Sequence, residues 1–222
     1  MIKITNTEVF GWNATVRGMR NPMNSWARMD SDWDFVEDPS IINPNDQVLF
    51  VLGPNDADLM RRLCKGGPVH AKFRRMITVY ADIEAPLYWW KEYDTYKVGT
   101  VANSCSTMHK IHARDLTLDD FSHEHLNAFN TAILKAYIDT INADRKIFVD
   151  TNDKEAWYQM IQMLPSSYNQ LRTVELNYEV LNNIYHSRLN HKLDEWHTVC
   201  DWIESLPNSW IITGKENNDG ET

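Results

Sequence analysis

Apolar and polar side chains alternate over Ile2–Phe10, which predicts a strand at the start of the chain. A second alternation covers Phe73–Ile83, with Phe73, Ile77, Val79, Ala81 and Ile83 on one side. It predicts a long central strand, although Arg75 interrupts the apolar side. Between these two, Trp12–Gly18 reads as a short helix, followed by an irregular stretch, Met19–Pro54, that contains four prolines. Asn55 and Asp56 are expected to cap a helix from about Ala57 to Lys65, stopped by Gly66-Gly67-Pro68.

Further along, Pro86 at an early position predicts a helix from Ala85 to about Tyr93. A loop of small residues, Thr95–His109, comes next. Ser122 is expected to cap a strongly periodic helix reaching about Ala143, and Asp153 a second one ending at Leu164-Pro165. The segment LPSSYNQLRTVELNYEVLNNIYHSR, residues 164–188, is expected to supply a fourth long helix, and Leu193–Ser205 a fifth. On that fourth helix Asn177, Leu181, Ile184 and Arg188 share one face, because eleven residues make about three turns. Such a face either buries itself or holds an elongated ligand. The pattern as a whole predicts an α+β fold, a central and mostly antiparallel sheet with a helical majority. Residues 1–213 are expected to form a single domain, and Gly214–Thr222 (GKENNDGET) a disordered acidic tail.

Composition narrows the function classes. A chain of 222 residues that is 43% hydrophobic can build one sizeable core. Its net charge of −9 argues against general nucleic-acid binding, which needs a basic surface. The opening residues MIKITNTEVF lack the apolar run of a signal peptide, and no stretch approaches the roughly 18 apolar residues of a membrane span. Cys64, Cys105 and Cys200 have no CxxC spacing. A cytoplasmic location, without a membrane partner, is therefore expected. Nine Trp and nine Tyr supply rings for a core and also for pockets that take flat ligands. Core packing accounts best for most of the run Leu87-Tyr88-Trp89-Trp90.

Several chemistries drop out. His109 and His112, and His123 and His125, are close in sequence, but no Cys pair joins them to complete a zinc site, so no metal is expected. Neither a phosphate-loop GKS/GKT nor a GxGxxG occurs. Cys105 has no His–Asp partner order that would activate it as a nucleophile. The stretch Asn103-Ser104-Cys105-Ser106-Thr107 does offer small hydroxyl and amide donors of the kind that approach a phosphate closely.

The order of these motifs resembles the flavin-dependent thymidylate synthases over roughly residues 55–207. Pro165, Asn177, Leu181 and Arg188 reproduce the spacings of that family's C-terminal region. Upstream, Leu63–Gly67, then His70-Ala71-Lys72-Phe73, then Ala85-Pro86 follow its order. The resemblance implies a homotetramer that binds deoxyuridine monophosphate (dUMP) and FAD, with NADPH and methylenetetrahydrofolate as co-substrates, and methylates dUMP to dTMP. By the same resemblance Arg188 binds and polarises the pyrimidine and serves catalysis, and Asn103, Ser104 and Ser106 bind substrate. His70, Lys97 and Asn177 would then face the cofactor.

Departures from the family are specific. Its signature is Arg-His-Arg followed by Ser, Asn-Glu, Ser and Arg at short intervals. The equivalent stretch here, EYDTYKVGTVANSCSTMHK, contains no arginine, and none occurs between Arg75 and Arg114. Only Asn103 and Ser106 have counterparts, with Lys97 as a nearby cation. A family arginine is replaced by Glu179, which would repel phosphate if it faced the site. Arginine grips phosphate with a two-pronged fork, whereas lysine offers a point charge. The alternative expectation is therefore a catalytically degenerate nucleotide-binding or interaction protein on the same scaffold, such as one encoded by a phage.

Overall fold

Strand β4, Thr78–Pro86, shows why a sheet forms: Val79, Ala81, Ile83 and Ala85 are buried, while Tyr80 on the alternate side is exposed. Strand β6, Asn169–Asn177, repeats the rule with Val174 and Leu176 buried. With β1, Lys3–Phe10, and β5, Val101–Ser104, they form a four-stranded sheet in the order β1-β4-β6-β5. Backbone bonds fix the directions. Tyr178 donates to Ile77 at 3.1 Å and Leu87 to Tyr168 at 3.0 Å, so β4 and β6 run antiparallel. A smaller antiparallel pair joins β2, Asp32–Phe35, to β3, Val48–Val51, with Trp33 opposite Phe50. The computed structural model describes residues 2–35 and 48–215. The α+β class expected from the pattern is the observed one.

Contact density divides the chain into two units. The first takes the start of the chain to Thr7, then Ala81–Lys97 and Val101–Val174. Its core gathers Ile111, Leu116, Phe121, Leu134, Ile138, Ile141 and Met160. Helices α5, Ala128–Thr151, and α6, Lys154–Met163, supply most of that cluster. Helices α3, Leu87–Tyr93, and α4, Thr107–Lys110, flank β5 in sequence.

The second unit takes Glu8–Tyr80, Val98–Thr100 and the chain from Glu175 onward. It holds α1, Trp12–Arg20; α2, Pro54–Lys65; α7, Tyr178–Arg188; α8, Asp194–Glu204; and α9, Trp210–Thr213. Leu181, Ile184, Trp196, Ile203 and Ile211 are all but fully buried there. Gly11 closes the turn into α1 at φ +97, where a Cβ would stand 2.2 Å from the Met76 carbonyl oxygen. Only glycine meets both demands.

Several expectations are corrected. Residues 164–188 are not one helix: the chain is extended over Asn169–Asn177 and only then coils. Alternation through Val174 and Leu176, rather than the spacing of Asn177 and Arg188, is what governs the first half. The strand expected over Phe73–Ile83 begins at Thr78; Ala71–Met76 is a tight 3-10 turn that buries Ala71 and Phe73. Part of the expected loop Thr95–His109 is strand β5 and helix α4.

Two expected caps work elsewhere. Ser122 does not start α5; its hydroxyl donates to Asn169 at 2.9 Å, and Asn127 caps the helix by accepting from the Asn130 N–H. Asp56 is not a cap either. It is fully buried and receives the Arg20 guanidinium at 2.6 Å together with the Ser31 hydroxyl at 2.7 Å. Helix α2 is capped from a distance, because the Asp30 carboxylate accepts from the N–H groups of Asn55 and Asp56. Asp153, by contrast, caps α6 as expected. Most of the expected acidic tail, residues 216–222, lies outside the described residues.

Candidate nucleotide site

In the first unit, β5 ends the sheet order and is exposed along all four residues, so Asn103 and Ser104 stand on an open edge. The backbone N–H of Cys105 donates to Leu171 at 2.9 Å, tying this edge to β6. Ser106 is exposed, but its hydroxyl already accepts from the His109 N–H at 3.3 Å and so caps α4. Lys97 is exposed just ahead of this strand. The structure thus collects Lys97, Asn103, Ser104 and Ser106 on one short, accessible stretch of chain.

Beside them on β6 is a cation that sequence reasoning missed. Arg172 donates from Nε to Gln170 and from Nη1 to Asp94, each at 3.0 Å. Its guanidinium lies 4.2 Å from the centroid of the Trp90 ring, and its side chain is 16% exposed. Gln170 in turn donates from its side-chain amide to the Cys105 carbonyl at 3.1 Å, and its backbone carbonyl accepts the Trp90 indole N–H at 2.9 Å. Trp89, Trp90 and Tyr93 are core, as expected for most of the aromatic run. Burial pushes the Tyr93 phenol well above its ordinary value, so it stays protonated. A signal for Arg172 existed only as an arginine in an alternating stretch; Asp94 and Trp90, which hold its guanidinium, are some eighty residues away and have no sequence signature.

In the second unit, Asn177 caps α7. Its Oδ1 accepts from the N–H groups of Glu179 at 3.1 Å and Val180 at 3.0 Å, and its Nδ2 donates to Gly99 at 3.4 Å. Both halves of the amide therefore have protein partners. Arg188 ends the same helix, about 16 Å away at a rise of roughly 1.5 Å per residue. Its guanidinium lies 4.7 Å from the centroid of the fully buried Trp196 ring. His70 is exposed and immediately precedes the 3-10 turn Ala71–Met76. Glu179 does not stand as an isolated negative charge: it faces Arg74 at 3.6 Å.

No family model and no curated protein matches this sequence. Solved structures do. A crystal structure of thymidylate synthase X from Helicobacter pylori with FAD and dUMP superposes with a TM-score of 0.65 at 13% identity, covering 96% of this chain and 97% of that one. A second, of the flavin-dependent thymidylate synthase from the same organism complexed with FAD and dUMP, gives 0.64 at 14% identity, covering 95% and 97%. The chain has the flavin-dependent thymidylate synthase fold. No arginine lies between Arg75 and Arg114, and residues 92–110 comprise the end of α3, a 3-10 turn, a loop, strand β5 and helix α4. On this thymidylate synthase fold, β5 presents neutral donors at its open edge, while Arg172 on the neighbouring β6 is held in an internal clasp by Gln170 and Asp94. Among the described residues no helix is long and apolar enough to cross a membrane.

Proposed function

We propose that this chain binds a pyrimidine deoxynucleotide of the dUMP class, with ligands proposed separately in each unit: Arg188 in the second, and Asn103 and Ser104 of β5 with Ser106 just beyond it in the first. The observation that carries this reading is the end-to-end likeness to two structures that hold FAD and dUMP. An exposed row of hydroxyl and amide groups beside Lys97 suits one phosphate and one base.

For FAD the donor set fits poorly. A pyrophosphate is best held by arginine forks, and Arg172 already spends two of its donors on Asp94 and Gln170. Asn177 likewise has its amide engaged in capping. FAD binding is therefore proposed as weak, and methylation of dUMP as slow or absent. A catalytically degenerate nucleotide-binding protein is the form of this function that the residues support best.

The open edge at β5, with Val101 61% exposed, also supports a homo-oligomer, a tetramer by resemblance. Unpaired strand edges are normally covered. The deciding experiment is a thermal-shift and calorimetric titration with dUMP, dTMP, UMP and FAD. A ligand at 100 times its dissociation constant raises stability by about 2.7 kcal/mol. Stabilisation by dUMP well beyond that by UMP is expected; no response to any of the four overturns the reading.

A further inference from the structure

A separate recess of about 230 Å³ opens in the second unit, lined by Arg61, Cys64, Lys65, Arg74, Trp210 and Lys215 among others. Four cations at one small recess are unexpected in a chain of net charge −9. They come from three separate parts of the chain: α2, the 3-10 turn at Ala71–Met76, and the residues after α9.

Their counter-charges are uneven. Arg74 has Glu179 at 3.6 Å, and Lys215 has Glu204 at 2.6 Å. Arg61 and Lys65 have no carboxylate within ion-pair distance among the described residues, and Arg61 instead lies 4.7 Å from the centroid of the Trp210 ring. Arg74 adds a buried Nε that has no hydrogen-bond partner. Lys65 in the last turn of α2 also suits the negative end of the helix dipole. That role does not account for Arg74 or Lys215, which belong to other elements.

We propose that this recess binds the phosphate group of a small phosphomonoester. A phosphomonoester carries about −1.5 to −2 charges near pH 7, which matches the two cations left without carboxylates. The volume suits a phosphate with a small organic group and is too small for a dinucleotide, since ordinary ligand pockets start at about 300 Å³. This site is independent of β5, and its failure leaves the dUMP reading untouched.

Cys64 provides the readout. Its half-buried thiol is pushed up by burial, and the Arg74 guanidinium beside it opposes part of that rise. In a Cys105→Ser background, with Cys200 buried, a disulfide-exchange reagent labels Cys64. Inorganic phosphate and phenyl phosphate are each expected to slow labelling at least fivefold. Phenyl phosphate acts at the lower concentration, because its ring reaches Trp210. Adding Arg61→Ala and Lys65→Ala should abolish the protection, whereas Arg62→Ala, on the same helix but outside the recess, should keep it. Protection that is absent, that chloride reproduces at equal ionic strength, or that survives in the Arg61→Ala/Lys65→Ala variant overturns the proposal. Phosphate protection without any by phenyl phosphate overturns the phosphomonoester assignment.

Discussion

Glu179 lies 3.6 Å from Arg74, and each side chain keeps only 12% of its surface in solvent. Arg74 also donates to Asn182 at 2.9 Å, so one guanidinium ties the 3-10 turn to two positions of α7. A carboxylate that looks hostile to phosphate when read along the chain is therefore neutralised by a partner more than a hundred residues away. The pair shows why a substitution of sign at one position says little until its neighbour is known.

Removing one member of that pair strands the other in a poorly solvated place. Arg74→Met and Glu179→Gln are each expected to destabilise the protein by about 1–3 kcal/mol, the range for an unsatisfied buried group. The double variant should cost less than the two single effects added together, by about 0.5–3 kcal/mol of coupling. Urea denaturation of all four proteins tests this. Strictly additive losses would mean that the two charges do not interact.

Asn177 separates a structural role from a binding one. Asn177→Ala removes the α7 cap and is expected to cost about 0.5–2 kcal/mol. Asn177→Ser restores an acceptor for the N–H groups of Glu179 and Val180 but has no amide to donate to Gly99. Stability should largely return in the serine variant. If ligand affinity returns with it, the amide donor itself contributes nothing to binding.

Much of the fold was legible because burial follows local periodicity. The strand at Ile2–Phe10, α6 with its Asp153 cap, and α8 all stand where the pattern puts them. The misreadings have separate causes. Residues 169–177 alternate, yet Leu181 and Ile184 beyond them repeat at helical spacing, and the second pattern extends backward as readily as the first extends forward. Ser122 has the right chemistry for a cap, but Asn169 competes for its hydroxyl. Strand β5 has only four residues and no buried face, so nothing in its pattern distinguishes it from a loop. At the candidate site the sequence supplied the donors, while Arg172 and Arg74 stayed invisible because their roles are fixed by distant partners.

Arg188 rests on Trp196, and that contact sets a bound on how much its loss should unfold. A cation–π contact contributes about 0.5–2 kcal/mol depending on burial. Arg188→Ala is expected to lose stability within that range and, beyond it, to weaken dUMP binding by about 1.5–3 kcal/mol, the range for a charge-assisted hydrogen bond. Calorimetric titration beside urea denaturation separates the two effects. Unchanged dUMP affinity in a folded variant removes Arg188 from the site.

Asp56 should make stability depend on acid. Burial works against its charge. The Ser31 hydroxyl, the Asp30 N–H, the Arg20 guanidinium and the Ser31 N–H together outweigh it and hold the carboxyl below its ordinary value of 3.8. A group depressed in the folded state stabilises above its unfolded pKa and loses that contribution as pH falls through the folded value. Wild type should therefore lose stability below about pH 4 more steeply than Asp56→Asn. At pH 7 the variant should be the weaker by about 3–5 kcal/mol, because Arg20 is left buried without its counter-charge. Parallel pH profiles for the two proteins would show that Asp56 is not the responsible group.

Catalysis is the sharpest test of what the fold still does. Thymidylate synthesis would need FAD held firmly against its nucleotide, and on the proposed reading only Lys97 and the neutral donors of β5 are at hand for its pyrophosphate. Uncharged hydrogen bonds are roughly half as strong as charge-assisted ones. The guanidinium of Arg172 cannot turn outward without abandoning Asp94, Gln170 and the Trp90 ring. Purified protein with FAD, NADPH, methylenetetrahydrofolate and dUMP is therefore expected to form little or no dTMP while still binding dUMP. Asp94→Asn should loosen the Arg172 clasp and raise FAD affinity by freeing part of the fork. Robust turnover by the unaltered chain would instead establish an active synthase that works without the arginine signature, and the degenerate-site reading would fall.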